Sequence, residues 1–158
     1  MSLRIIFVLA AISVAGFAAE KYSGPMPPKP DVLYLLQANH LIETETGQAR
    51  EESKKDSTIY SITGAASPAR TPLSEPIFII DARQVAPDRM ELYKLDVRNG
   101  SREVSLSNKG RKGGRPLHLM VTKLAEHLYK VEADEPLENG EYAISPSGEN
   151  RVFCFQIY

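Results

Sequence analysis

Apolar positions fall in short runs of strand length, most of them alternating with polar residues and none at sustained helical spacing. Thr58 to Thr63 carries Ile59, Tyr60 and Ile62. Met90 to Arg98 sets Tyr93, Leu95 and Val97 on one face, and Arg102 to Ser107 turns Val104 and Leu106 inward. Leu117 to Lys123 alternates through Leu117, Leu119 and Val121. Leu128 to Ala133, Ala143-Ile144 and Val152 to Ile157 follow as further strands. Val32 to Leu36 opens the series, with Leu41 and Ile42 continuing it after a break at Ala38-Asn39-His40. Ile77 to Ile80 is unbroken apolar, which suits a central strand covered on both faces. Residues 43 to 56 are polar and read as an exposed loop, with Gln48 to Lys55 as an optional short helix. Residues 64 to 76 form a second long loop, marked by Pro68, Pro72 and Pro76. The pattern predicts an all-β fold, a sandwich or barrel of about nine short antiparallel strands.

Turn chemistry sharpens two places. Asn99 and Gly100 both tolerate positive φ, so they fit a two-residue type I′ hairpin between Met90–Arg98 and Arg102–Ser107. Leu137-Glu138-Asn139-Gly140-Glu141-Tyr142-Ala143-Ile144 resembles the corner before the penultimate strand of immunoglobulin-like sandwiches. The resemblance implies that Gly140 makes the sharp turn, Leu137 plugs the end of the core, and the Tyr142 hydroxyl ties back to the backbone upstream. It covers about the last 25 residues, and the chain has no tryptophan and no cysteine pair, so it speaks for the sandwich and not for the immunoglobulin family. More loosely, Gly64 with Ser67 and Arg70, Leu92-Tyr93, Arg102-Glu103 and Gly140 to Ala143 are similar to small secreted bacterial domains of unknown function, a likeness that implies no activity.

The N-terminus carries an address. Arg4 precedes an apolar run of about 13 residues that ends in Gly16, Ala18 and Ala19. The run falls short of the roughly 20 residues that cross a bilayer core. Residues 1–18 are therefore expected to be a signal peptide, cleaved near Ala18 or Ala19, giving a secreted or periplasmic chain with no transmembrane segment. Residues 19–31, with four prolines between Gly24 and Pro30, read as an extended lead-in, and 32–158 as one domain.

Charge removes one class of partner. Only Arg4 of the 19 basic residues lies in the expected signal peptide, so 18 bases face 20 acids, a formal charge of −2. Nucleic acid, which requires a strongly basic face, is not expected as a partner. The single cysteine, Cys154, sits in an apolar strand and reads as a small buried hydrophobe.

Catalytic motifs are sparse. There is no Gly-x-Ser-x-Gly elbow, P-loop or dinucleotide fingerprint. His118 and His127 are expected on two strands of one hairpin, His127 opposite about residue 123, with neither at metal-ligand spacing. No cofactor is expected. The one segment suited to a ligand is Lys109-Gly110-Arg111-Lys112-Gly113-Gly114-Arg115. Glycines let backbone N–H groups approach an anion, and arginine offers a planar fork to phosphate, sulfate or carboxylate. Lys109, Arg111, Lys112 and Arg115, with Arg70 of the 64–76 loop, are the candidate binding residues. Their partner would be an acidic glycan, a lipid headgroup or an envelope protein, and the plain alternative is a solvated loop. The chain is expected to be a non-enzymatic module for binding or structural interaction. The rivals are a small secreted hydrolase with a site assembled from scattered residues, and an envelope assembly component acting through sheet edges.

Overall fold

The computed structural model describes residues 21–107 and 113–158. Among these are thirteen strands, one 3-10 turn at Pro87–Arg89 and no α-helix. In chain order the strands are β1 (Tyr34–Gln37), β2 (His40–Glu43), β3 (Glu45–Gln48), β4 (Arg50–Ser53), β5 (Ser57–Thr63), β6 (Arg70–Thr71), β7 (Ile77–Asp81), β8 (Met90–Arg98), β9 (Ser101–Ser107), β10 (Leu119–Ala125), β11 (Leu128–Ala133), β12 (Gly140–Pro146) and β13 (Arg151–Ile157). They form two sheets. The smaller runs β10-β11-β7-β1-β2, and the larger runs β3-β13-β12-β8-β9-β5-β4, with β6 beside β13. All pairings are antiparallel except the two-residue contact of β6 with β13.

The expected strands are present, and three more accompany them. The polar stretch 43–56 is neither loop nor helix: Glu45–Gln48 pairs with β13 and Arg50–Ser53 with β5. Edge pairing supplies the backbone hydrogen bonds there, so no apolar alternation is needed. The third, β6, lies inside the 64–76 stretch, where Ser67, Ala69 and Thr71 are buried. The break at Ala38-Asn39 is a tight hairpin, both residues at positive φ, that folds β2 back onto β1. Asn99 (φ 50°) and Gly100 (φ 76°) make the predicted hairpin between β8 and β9. The expected export segment 1–18 lies outside the described residues. The lead-in is docked on the smaller sheet. Lys29 pairs with Glu43 at 2.9 Å, and one Asp31 carboxylate oxygen accepts the N–H groups of Arg83, Gln84 and Val85 at 2.8–3.0 Å.

Two apolar cores result. The first lies between the sheets, where Leu33, Leu35, Phe78, Ile80 and Val131 meet Leu92, Tyr142, Ile144, Phe153, Phe155 and Ile157. Phe155 is its centre, edge-on to Phe78 at 4.8 Å and stacked on Tyr142 at 5.4 Å. β7 is central in its sheet, and Phe78, Ile79 and Ile80 are all buried, as its unbroken apolar run requires. The second core lies on the opposite face of the larger sheet and holds Ala49, Ile62, Leu95, Val104, Ala143, Val152 and Cys154. β12 and β13 therefore bury both faces. Val97, expected to share the inward face of β8, is exposed because it sits at the hairpin tip, beyond the reach of β12.

The second core exists because the larger sheet curls into a half-barrel. β8 pairs with β12 over Met90 to Leu95, but with β9 only over Asp96 to Arg98. Below that contact the two strands part. The segment after residue 112 enters the wedge: the Gly114 N–H donates to Ser105 O and the Leu117 N–H to Leu92 O, both at 2.7 Å. At the other side the sheet's two ends meet, since β3 runs directly into β4 through Ala49, whose N–H donates to Asn150 O at 2.7 Å.

Candidate functional site: the trough of the curled sheet

The curl encloses a cavity of about 180 Å³ between β4, β5, β8, β9, β12 and β13. Alternation decides its lining. Tyr60 and Ile62 of β5, Tyr93 and Leu95 of β8, and Val104 and Leu106 of β9 point inward, and Ala143 and Val152 form the facing wall.

One end is sealed by charge. Arg102 opens β9 on the same face as Val104, so its side chain enters the barrel and is fully buried. Its guanidinium donates to both Glu45 carboxylate oxygens at 2.6 and 2.8 Å, to Gly64 O at 2.8 Å and to Thr63 O at 3.0 Å. Glu141 of β12 approaches it at 3.7 Å. One Glu141 oxygen accepts the Ser67 N–H at 3.0 Å, and the other is buried with no hydrogen-bond partner among the described residues. The Arg102 fork holds the Glu45 carboxyl below its usual range. Burial pushes Glu141 the other way, only partly countered by the Ser67 N–H and Arg102. Cys154 lies beside this cluster with no exposed surface, and burial pushes its thiol up to about 12, which makes it an unreactive part of the core.

The other end is open. Its rim carries Glu51 of β4, Glu91 of β8, and Ser145, Pro146, Gly148, Glu149 and Asn150 of the β12–β13 turn. The Tyr93 hydroxyl donates to Glu91 at 2.7 Å, and Asn150 Nδ2 donates to Glu51 at 3.3 Å. Glu149 lies 3.4 Å from Arg151, whereas Glu51 and Glu91 have no ion-pair partner among the described residues. Burial, reinforced by Glu91, raises the Tyr93 phenol, and burial with Glu51 raises that of Tyr60. The trough is thus an apolar, aromatic-walled slot with a negative mouth.

Neither Arg70 nor Arg115, the described members of the expected binding set, lines the trough. Lys109, Arg111 and Lys112 are outside the described residues. Arg115 is exposed on the segment that enters the wedge, and Arg70 stacks over the Tyr158 ring at 4.3 Å. β12 and β13 stand between the elements carrying Arg70 and Arg115, so the two do not form one site. His127 is not opposite residue 123. It occupies the β10–β11 turn at φ 61°, because Lys123 pairs with Tyr129 and Ala125 with Leu128. His118 precedes β10 and lies 3.3 Å from Asp134 at the surface. No group of three metal-ligating side chains occurs among the described residues. The Tyr142 hydroxyl donates to Glu138 O at 2.8 Å, and Gly140 takes φ 157° at the start of β12.

Sequence reasoning missed the trough and its floor. A usable sign was present: Arg102 has the parity of Val104 and Leu106, and Glu141 that of Ala143, so a charge stands where an inward apolar residue is expected. No family model matches the chain, and neither curated proteins nor solved structures give a match.

Proposed function

We propose that the protein is a non-enzymatic binding module that takes a small ligand in the trough of its curled sheet. The observation that supports this most is the cavity itself. It is walled by two tyrosines and seven aliphatic side chains, is open at one end, and has room for about one aromatic ring, since an engineered cavity of about 150 Å³ binds benzene. On this reading the chain is exported through residues 1–18, and its two sheets elaborate an immunoglobulin-like sandwich. The Tyr142 to Glu138 bond is in keeping with the corner such sandwiches use. The basic segment Lys109–Arg115 would then be a secondary contact for an acidic glycan, headgroup or envelope protein.

The test is a panel of ring-sized compounds followed by ligand-detected NMR and thermal melting. A compound at ten times its Kd stabilises the fold by about 1.4 kcal/mol. Val104→Trp, which fills the trough, should abolish both signals and keep a cooperative melt. Compounds that bind the filled variant as well as the wild type would refute the trough as the site.

A further inference from the structure

We infer that the ligand of this trough is a small organic cation, a primary ammonium on an apolar or aromatic body. The inference rests on the binding-module reading above and adds the ligand's chemistry. Three features of the cavity support it. Between the rim and the charged floor the lining is apolar: Ile62, Leu95, Val104, Ala143 and Val152 offer nothing to a charged or strongly polar group, so that part must take hydrocarbon. The walls are aromatic, because Tyr60 and Tyr93 both face the cavity, and a ring face attracts a cation held within about 6 Å. The mouth is anionic. Glu51 and Glu91 stand on it, and their influence reaches both phenols, whose deprotonation they disfavour.

The two carboxylates have spare acceptor capacity. Among the described residues Glu91 receives one hydrogen bond, from Tyr93, and Glu51 receives one, from Asn150, while an ionised carboxylate offers about four lone-pair sites. An ammonium with three N–H donors fits that deficit. A carboxylate or phosphate ligand would meet repulsion at the same place. Size sets a further limit, since about 180 Å³ admits a body of one ring or a short alkyl chain, with the ammonium left at the rim.

The experiment titrates the full exported chain with three isosteric probes: phenethylammonium, 2-phenylethanol and phenylacetate. The cation is expected to bind with Kd on the order of a millimolar or tighter. It should bind at least about 10-fold more tightly than the alcohol and weaken as salt rises from 20 to 300 mM, because rim charges are screened. Phenylacetate should be the weakest. Glu51→Gln/Glu91→Gln should cost the cation about 10-fold and leave the alcohol unchanged, with the melting temperature confirming the fold. If alcohol and cation bind equally and the double variant changes neither, the cation inference is overturned while the trough remains a binding site. If the cation binds Val104→Trp as well as wild type, it sits on the outer surface and the inference is again overturned. If none of the three binds, the cation inference falls, and the wider compound panel decides separately whether the trough takes any ligand.

Discussion

Arg102 is the side chain whose loss should cost the fold most for its size. It is fully buried and, among the described residues, makes four hydrogen bonds, two to the Glu45 carboxylate and two to the carbonyls of Gly64 and Thr63. Arg102→Ala deletes the guanidinium that pairs with Glu45 and strands Glu45 beside Glu141. Removing one partner of a buried ion pair costs about 3 to 5 kcal/mol. For a domain of this length that is a fall in melting temperature of about 10 to 20 °C. Arg102→Lys keeps the charge, but a single ammonium cannot reproduce a fork spread over four acceptors, so a loss of about 1.5 to 3 kcal/mol is expected. The informative variant is Arg102→Met/Glu45→Gln. It removes both charges together, and it should be more stable than the sum of its single changes by about 2 kcal/mol. Urea denaturation of wild type, Arg102→Ala, Arg102→Lys, Arg102→Met, Glu45→Gln and the double variant, with a common m-value, measures all of this. A loss under about 1 kcal/mol for Arg102→Ala, with additive single changes, would refute a floor held shut by this ion cluster.

Further outcomes are expected. Tyr142→Phe removes the bond to Glu138 O and keeps the stacked ring, so urea melts should show a loss of about 1 kcal/mol. Burial raises Glu141 above its ordinary 4.5 on folding, so between 4.5 and the raised value the folded state holds a proton that the unfolded chain has released. Its contribution to stability is lost as pH rises from about 4.5 through the raised value, at up to about 1.4 kcal/mol per pH unit. Glu141→Gln should flatten that slope. Glu45, held low, contributes stability that is present above 4.5 and lost as pH falls through its folded pKa, so Glu45→Gln should flatten the acid side instead. Parallel stability profiles of variants and wild type between pH 3 and 8 would contradict both assignments. Cys154 should resist a disulfide reagent at pH 8 and react at once in denaturant, because its thiol is buried and pushed up to about 12. Mass spectrometry of exported protein should find its N-terminus at or next to Ala19, and recovery of an intact Met1 would exclude cleavage.

Strands that bury side chains were legible in the sequence, and strands held only by backbone pairing were not. Ile77–Asp81 and Arg151–Ile157 carry unbroken apolar residues because both of their faces are covered. Glu45–Gln48 and Arg50–Ser53 are polar edge strands, and Arg50 to Ser53 is exposed throughout, so no periodicity marks them. The Asn99-Gly100 turn was plain because both residues favour positive φ. Ala38-Asn39 adopts the same geometry with a residue that disfavours it, so the first hairpin read as a break. The curl could not be read at all, since it depends on β8 and β9 parting after three residue pairs and on a later segment filling the wedge. The candidate site inherits that difficulty, because its walls come from six strands that only the curl brings together.

The curl also divides the work of the two barrel ends. β12 and β13 give one face to the core between the sheets and the other to the trough, so the trough's inner wall is fixed by Tyr142, Ile144, Phe153 and Phe155 packed behind it. The floor is fixed by Arg102, which ties the start of β9 to β3 and to the 63–64 backbone. Neither constraint reaches the mouth. Glu51 and Glu149 are exposed and Glu91 is half-buried, and each makes contacts worth at most about 1 kcal/mol at such positions. Changes at the rim can therefore alter its charge at little cost to the fold, whereas changes at the floor cannot. Wall and floor are thus held by packing and by buried hydrogen bonds, and the mouth only by contacts of exposed or half-buried side chains.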